Sequence, residues 1–332
     1  MSVTMTAESV RRIDIGGDSS EGTNSAYLVD DRAVVDPGPP TDRAWRDLRE
    51  GLERADVSLR DLEAVLVTHW HADHAGLAPR LGTAADATLA MGAGDAPLVA
   101  DYAAERARRL ERDAETMRRW GVPDRAVERV ISGDTVSAMP DEITVGRLRD
   151  GQTIAGLEVV ATPGHTLGHT AFAGEGFLLV GDAVLPTTTP NVGGSDTRTI
   201  RSGGSRAQSA PDGDGAILDR NPLAAFRGAL ERLDDRSERL LPGHGTVVTP
   251  GRVESILTHH DERSRRVFEA LERHEPATPW ELARDLFGDL EGVHVKFGAG
   301  EAAAHLRALE REGRIERTTD DPVRYESTSK RR

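Results

Sequence analysis

Thr68-His69-Trp70-His71-Ala72-Asp73-His74-Ala75-Gly76 follows directly on the apolar run Ala64-Val65-Leu66-Val67. Three imidazoles and a carboxylate fall between positions 69 and 74. These are side chains that hold zinc and similar divalent cations. A short apolar run closed by polar residues reads as a buried strand, so the donors emerge where that strand ends. Accidental clustering of three histidines is the bland alternative, and a metal site explains the stretch better.

The same rule repeats downstream. Thr162-Pro163-Gly164-His165-Thr166-Leu167-Gly168-His169 follows Val159-Val160, Gly181-Asp182 follows Phe177-Leu178-Leu179-Val180, and Pro242-Gly243-His244-Gly245 follows Leu240-Leu241. Runs closed by Gly or Pro read as strands ending in turns. Donors at the ends of several strands, leaving one edge of the sheets, converge on a crevice there.

These motifs, in this order, resemble the metallo-β-lactamase superfamily over roughly residues 10–250. The resemblance implies an α/β fold, a four-layer αββα sandwich, and a two-metal site. It assigns His69, His71 and His165 to the first metal and Asp73, His74 and His244 to the second, with Asp182 bridging both. Asp73 is the candidate catalytic residue, aiming a hydroxide held between the ions. Asp36, in Val34-Val35-Asp36-Pro37-Gly38, matches an Asp of the family's early hairpin and is a candidate support for a metal-bound histidine; a turn-forming Asp before Pro-Gly is the competing reading. His169 is not needed as a ligand and reads as support behind one. Zinc is the preferred ion, with manganese or iron as alternatives.

The chemistry explains the residue types. Two cations a few ångströms apart lower the pKa of a shared water from 15.7 to about 7 and polarise a carbonyl or phosphoryl oxygen. Neutral imidazoles bind without cancelling the cation charge, and a bridging carboxylate offsets repulsion between the ions. A carboxylate also suits the first turn of a helix beginning near Asp73.

The chain has 332 residues, enough for one large domain and a small one. It has no cysteine, hence no disulfide and no thiolate ligand or nucleophile. No apolar run reaches the length of a membrane span, and Met1-Ser2-Val3-Thr4-Met5-Thr6 lacks a secretory pattern. A cytoplasmic protein without membrane contact is expected. Formal net charge is −14, and lysine occurs only at Lys296 and Lys330. That balance suits a salt-loving host, where salt screens self-repulsion; the acidity then reports the solvent rather than the substrate.

Ile13 and Ile15 mark an edge strand, and Tyr27-Leu28-Val29 with Ala33-Val34-Val35 a hairpin turning at Asp30-Asp31. Helical spacing covers 41–55, 75–81 and 223–233. Residues 96–130 are helical, with Tyr102, Leu110, Met117 and Trp120 on the apolar side; the segment either walls the metals or forms a solvated outer layer. Residues 131–160 read as short strands. Residues 192–219, rich in Gly, Ser, Asp and Arg, read as a mobile surface insertion.

A second unit, 251–332, follows the catalytic unit, 1–250. A helix spans 253–271, Thr278-Pro279 opens another, and a third is expected after Gly300, ended by Gly313. A hairpin around Asp320-Asp321-Pro322 follows. Helices and a two-stranded wing make a winged helix, a placement similar to the beta-lactamase-like protein 2 branch of the superfamily. Acidic side chains outnumber basic ones from 251 to 332, which argues against duplex DNA. The unit is expected to shape the cleft or mediate dimerisation. His259-His260 reads as part of a helix face rather than of the active site.

Two reactions fit. One is ester or thioester hydrolysis of a small molecule, of the hydroxyacylglutathione hydrolase type, whose Thr-Pro-Gly-His-Thr-x-Gly-His pattern is similar to 162–169. The other is single-strand RNA cleavage of the beta-lactamase-like protein 2 type. The first is preferred because no basic or aromatic track for a strand is evident. A sulfur dioxygenase and a non-enzymatic winged-helix regulator rank lower, since the complete ligand set calls for two ions and catalysis.

Overall fold

The computed structural model describes residues 9–19, 22–200, 221–246 and 248–331. A six-stranded sheet runs in chain order: β1 (Val10–Ser19), β2 (Gly22–Val29), β3 (Ala33–Val35), β4 (Ala64–Val67), β5 (Thr88–Gly92) and β6 (Gly146–Leu148). Its first three strands are antiparallel and β3 to β6 are parallel. A five-stranded sheet follows, from β7 (Thr153–Ile154), β8 (Leu157–Ala161), β9 (Thr170–Gly174), β10 (Phe177–Gly181) and β11 (Arg239–Pro242), ordered β11-β10-β9-β8-β7. A hairpin, β12 (Ile315–Asp320) with β13 (Val323–Ser327), stands apart.

Alternation along the strands stacks the layers. In β4, Ala64 and Leu66 face the second sheet, where Phe172, Phe177 and Leu179 meet them. Val65 and Val67 face the other way, onto the core beneath the helices α1 (Asp42–Arg54), α2 (Ala72–Ala75) and α3 (Ala78–Ala85). In β10, Leu178 and Val180 point outward to a third core. α4 (Ala96–Ala100) belongs to the core beneath α1 to α3, through Ala96 and Val99. The third core is covered by α5 (Tyr102–Arg119), α6 (Asp124–Ser132), α7 (Pro222–Asp234), α8 (Arg252–His274), α9 (Pro279–Phe287) and α10 (Val293–Arg311), with Met117, Phe226, Val267 and Leu306 among its members. Helix, sheet, sheet, helix is the α/β sandwich expected from the sequence.

The third core runs without a break from Met117 to Tyr325, so residues beyond 250 share apolar packing with the catalytic layers. The C-terminal part is three helices and a hairpin. Thr278 caps α9 by accepting from Glu281 N at 3.2 Å, and the Glu281 carboxylate accepts in turn from Thr278 N at 2.8 Å. No described helix is long and apolar enough to cross a membrane.

Three expectations need correction. The third C-terminal helix starts at Val293, not after Gly300. Gly300 lies inside it because a Cβ there would stand 2.4 Å from Gly194 Cα; the glycine admits a passing backbone rather than marking a helix start. Residues 192–198 are not a mobile surface: Val192, Ser195, Asp196 and Thr197 are buried, while the insertion's part from 201 to 219 lies outside the described residues. Residues 131–160 contain less strand than expected, since α6 continues to Ser132 and regular pairing resumes only at Gly146.

His260 is buried against Phe226 and His305, and neither of its ring nitrogens has a hydrogen-bond partner among the described residues. Burial first, then His259, Arg227 and Arg263, push its pKa down to about 3. Burial pushes His305 down as well, with His260, Arg263, His259 and Arg227 adding to it. Both therefore stay neutral when folded but take up protons when unfolded, near pH 6.5. Stability from this pair is full above about pH 6.5 and is lost as pH falls below it, by about 2 kcal/mol per histidine at pH 5. Denaturant unfolding at pH 7.5 and 5 should show His260→Leu losing about 2 kcal/mol less than the parent. Equal losses would show that the buried imidazole does not set the slope.

Candidate metal centre

Each donor stands at the carboxyl end of a strand. β4 runs into His69 and His71, β8 leads to His165, β10 to Asp182 and β11 to His244. α2 begins at Ala72, which places Asp73 and His74 in its single turn. Two sheets ending at one edge thus bring together donors as distant in sequence as His69 and His244.

The seven predicted ligands meet. His71 Nδ1 lies 3.0 Å from His69 Nε2 and 3.1 Å from His165 Nε2. His74 Nε2 lies 3.2 Å from His244 Nε2, and Asp73 Oδ2 is 3.2 Å from His244 Nε2 and 3.5 Å from His74 Nε2. Asp182 reaches both groups. Its Oδ2 is 4.0 Å from His69 Nε2, 3.9 Å from His165 Nε2 and 3.6 Å from His244 Nε2. Its buried Oδ1 sits 3.4 Å from His74 Nε2 with no hydrogen-bond partner among the described residues.

This set fits divalent ions. Tetrahedral ligands about 2.0–2.1 Å from zinc lie roughly 3.3 Å from one another, close to the spacing seen. Three of the outward nitrogens have acceptors, which leaves the inward lone pairs of those histidines for a cation. His69 Nδ1 lies 3.1 Å from Thr68 Oγ1, His74 Nδ1 3.0 Å from Asp36 Oδ2, and His165 Nδ1 2.9 Å from the Asn191 carbonyl. Thr68 can accept because its hydroxyl hydrogen goes to Asp36 Oδ2, 2.7 Å away.

Asp36 is therefore more than a turn residue. Its φ of 52° does place it in the left-handed region, but its side chain is buried and accepts from Thr68 N at 2.8 Å as well. Asp36→Asn should weaken metal affinity by roughly 10–100-fold, as loss of such a support does. Competition with a calibrated chelator checks it, and unchanged affinity would restore the turn reading. His169 stacks on His69, with 5.1 Å between ring centres, and both its nitrogens are engaged. Asp182 N donates to its Nε2 at 3.2 Å, so Nδ1 carries the hydrogen given to Thr162 Oγ1 at 2.7 Å. It holds the backbone of Asp182 rather than an ion.

Electrostatics divide the site. Burial, then His165, push His71 down to about 3, and burial pushes His69 down too. Burial also opposes charge on His244, but Asp182 and Asp73 outweigh it and raise His244 to about 10. Asp182 and Asp73 likewise overcome the burial of His74 and raise it. A divalent ion competes with those protons, so binding releases them.

Glycine lets the chain pass over these groups. A Cβ on Gly243 would stand 2.6 Å from both Asp182 Oδ1 and His74 Cε1. The Pro-Gly-His-Gly turn thus delivers His244 where no side chain fits beside it.

A second buried cluster was not read from the sequence. Asp95, fully buried, accepts from Thr166 Oγ1 at 2.6 Å, Gly168 N at 2.8 Å, Trp70 N at 3.2 Å and Arg198 Nη2 at 2.6 Å. Asp196 accepts from Leu167 N at 2.9 Å and from Arg198 Nη2 at 2.7 Å. Burial alone would raise Asp196, but Arg198 and the Leu167 amide hold it below the usual carboxylate range. The cluster ties the loop bearing His69 and His71 to the loop bearing His165. No spacing rule links an Asp after β5 to an Arg so far along the chain, so nothing local signalled it.

The metallo-beta-lactamase superfamily profile matches residues 20–244, and that of the metallo-beta-lactamase-like C-terminal domain matches residues 265–328. The chain is similar to "Probable metallo-hydrolase YqjP" of Bacillus subtilis, 28% identical over 98% of this chain and 100% of that protein. It is similar to "Beta-lactamase-like protein 2 homolog" of Drosophila melanogaster, 24% identical over 93% and 90%. Among solved structures, a metallo-beta-lactamase family protein of Thermus thermophilus superposes with a TM-score of 0.73 at 28% identity, covering 96% of this chain and 99% of that one. A beta-lactamase domain protein of Burkholderia ambifaria gives 0.70 at 26% identity, covering 97% and 92%. The chain belongs to the metallo-beta-lactamase superfamily, as a metallo-hydrolase with a His/Asp metal site and an added C-terminal domain.

Proposed function

We propose that this protein hydrolyses an ester or thioester bond of a small organic molecule. The observation that carries this reading is a cavity of about 520 Å³ beside the metal centre, with Trp70 and His71 in its wall. That volume suits a small-molecule ligand. Residues of α5, α6 and α10 complete it, so the helical segment after residue 96 and the C-terminal part both face the reaction site. A track for single-stranded RNA presents free cations and aromatic rings along a groove. Here Arg106 and Arg109 converge on one carboxylate, each 2.6 Å from an oxygen of Asp134, so the cations are gathered at one point rather than strung along a groove.

His69, His71 and His165, with Asp73, His74 and His244 and the shared Asp182, would hold two divalent ions, zinc by preference. Bound ions supply Lewis acidity and, at neutral pH, a deprotonated water. Asp73 would orient that water: Asn24 Nδ2 donates to its backbone carbonyl at 2.9 Å, and its side chain stays partly exposed beside buried His74. Trp70 and His71 border the space where the acyl carbon would sit.

The test offers acyl thioesters, aryl esters and a fluorescent single-stranded RNA to the metal-loaded protein, with and without chelator. Chelator-sensitive thioester or ester cleavage is the expected result. Cleavage of RNA alone would replace this reading with the endoribonuclease one.

A further inference from the structure

The cavity is charged in the opposite sense to the chain. The protein carries a formal net charge of −14, yet Arg106, Arg109, Arg129 and Lys296 line the cavity against only Asp113 and Asp134. Lys296 is one of two lysines in the sequence and is buried, its Nζ 3.0 Å from Asp113 Oδ2. Asp113 is itself occupied, accepting from Thr197 Oγ1 at 2.6 Å, with Arg109 Nη1 3.6 Å away. Both carboxylates are thus shared among more cations than they can neutralise. Arg129 is exposed at the rim and has no ion-pair partner among the described residues. Two buried donors of the wall, Trp70 Nε1 and Arg106 Nε, have no hydrogen-bond partner among the described residues. The guanidinium of Arg109 lies 5.3 Å from the ring centre of Trp70, which joins this charge to the loop bearing His69 and His71. The rest of the lining is largely apolar, with Leu98, Tyr102, Leu110, Ile131, Met139 and Phe297.

We infer that the cavity recognises an amphiphilic anion: an ester or thioester in which an apolar spacer separates the reacting carbonyl from a single carboxylate-type group. The apolar walls take the spacer, and the unneutralised cations take the anion. Low surrounding polarity strengthens such contacts, and guanidinium groups match carboxylates in geometry. The excess is small and gathered in one cavity, which suits one anionic group rather than a polyanion. This inference rests on the proposed hydrolysis, so its test reads binding and turnover separately.

Calorimetry on the metal-loaded protein compares adipate with hexanoate, which differ only in the second carboxylate. Adipate should bind at least about tenfold more tightly, the worth of one charge-assisted hydrogen bond. Turnover compares adipyl with hexanoyl thioesters of a small neutral thiol, and the same preference is expected in kcat/KM. A second pair carries the carboxylate on the leaving thiol and shows which half of the substrate enters the cavity. Lys296→Gln should cut the preference to below about threefold. Arg129→Gln, exposed and free of structural pairing, should reduce it severalfold and covers the case in which Lys296→Gln fails to fold. Equal binding of adipate and hexanoate, with equal turnover in both substrate pairs, would overturn the inference while leaving the hydrolysis standing. Tight adipate binding without turnover of any thioester or ester would do the reverse. A preference that survives both substitutions would also overturn the inference.

Discussion

Asp182→Asn is expected to lower hydrolysis by more than roughly 100-fold and to reduce metal content from two ions per chain to one or fewer. Loss of an outer support costs about 10–100-fold, and Asp182 would itself hold the ions. Its two oxygens lie within 4.0 Å of four of the cluster histidines, His69, His74, His165 and His244. An amide keeps one acceptor oxygen but loses the charge that offsets repulsion between neighbouring cations. The backbone should hold, because His169 fixes the Asp182 amide rather than its side chain. Elemental analysis with a turnover assay checks both halves. Two full metal equivalents together with parental turnover would exclude Asp182 as the shared ligand.

Asp95→Ala should produce the largest loss of stability, about 3–5 kcal/mol, the cost of breaking a buried charge pair by removing one partner. Arg198 would keep Asp196 but lose its contact with Asp95, while Thr166, Gly168 and Trp70 would lose their acceptor. The site should suffer as well, since those donors flank His69, His71 and His165. Equilibrium unfolding in denaturant, with chelator present to remove the contribution of bound metal, measures the loss. A change below about 1 kcal/mol would mean that solvent or neighbouring groups replace the carboxylate at little cost.

The ligand set was legible because the donors come just after strands, four of them after β4 alone, and a strand's apolar pattern is local. Asp36 was legible only in part. Its turn is written in Asp-Pro-Gly, but its partners Thr68 and His74 arrive through parallel pairing of β3 with β4. The start of α10 was misread because Gly300 looks like punctuation in one dimension and is a packing device in three. Composition likewise misled over residues 192–198, where polar side chains are buried because Asp95, Asp113 and Arg198 satisfy them.

The sequence by itself determined most of the strands, the motifs in which the seven candidate donors lie, and the superfamily, since these depend on residue type and short spacing. Only the tertiary structure decided what stands over the metals. The cavity is made where α5, α6 and α10 meet, and its charge is a sum over residues 106 to 296. Local pattern carries no information about such sums, because whether a cation is neutralised depends on which distant carboxylate packing brings within reach.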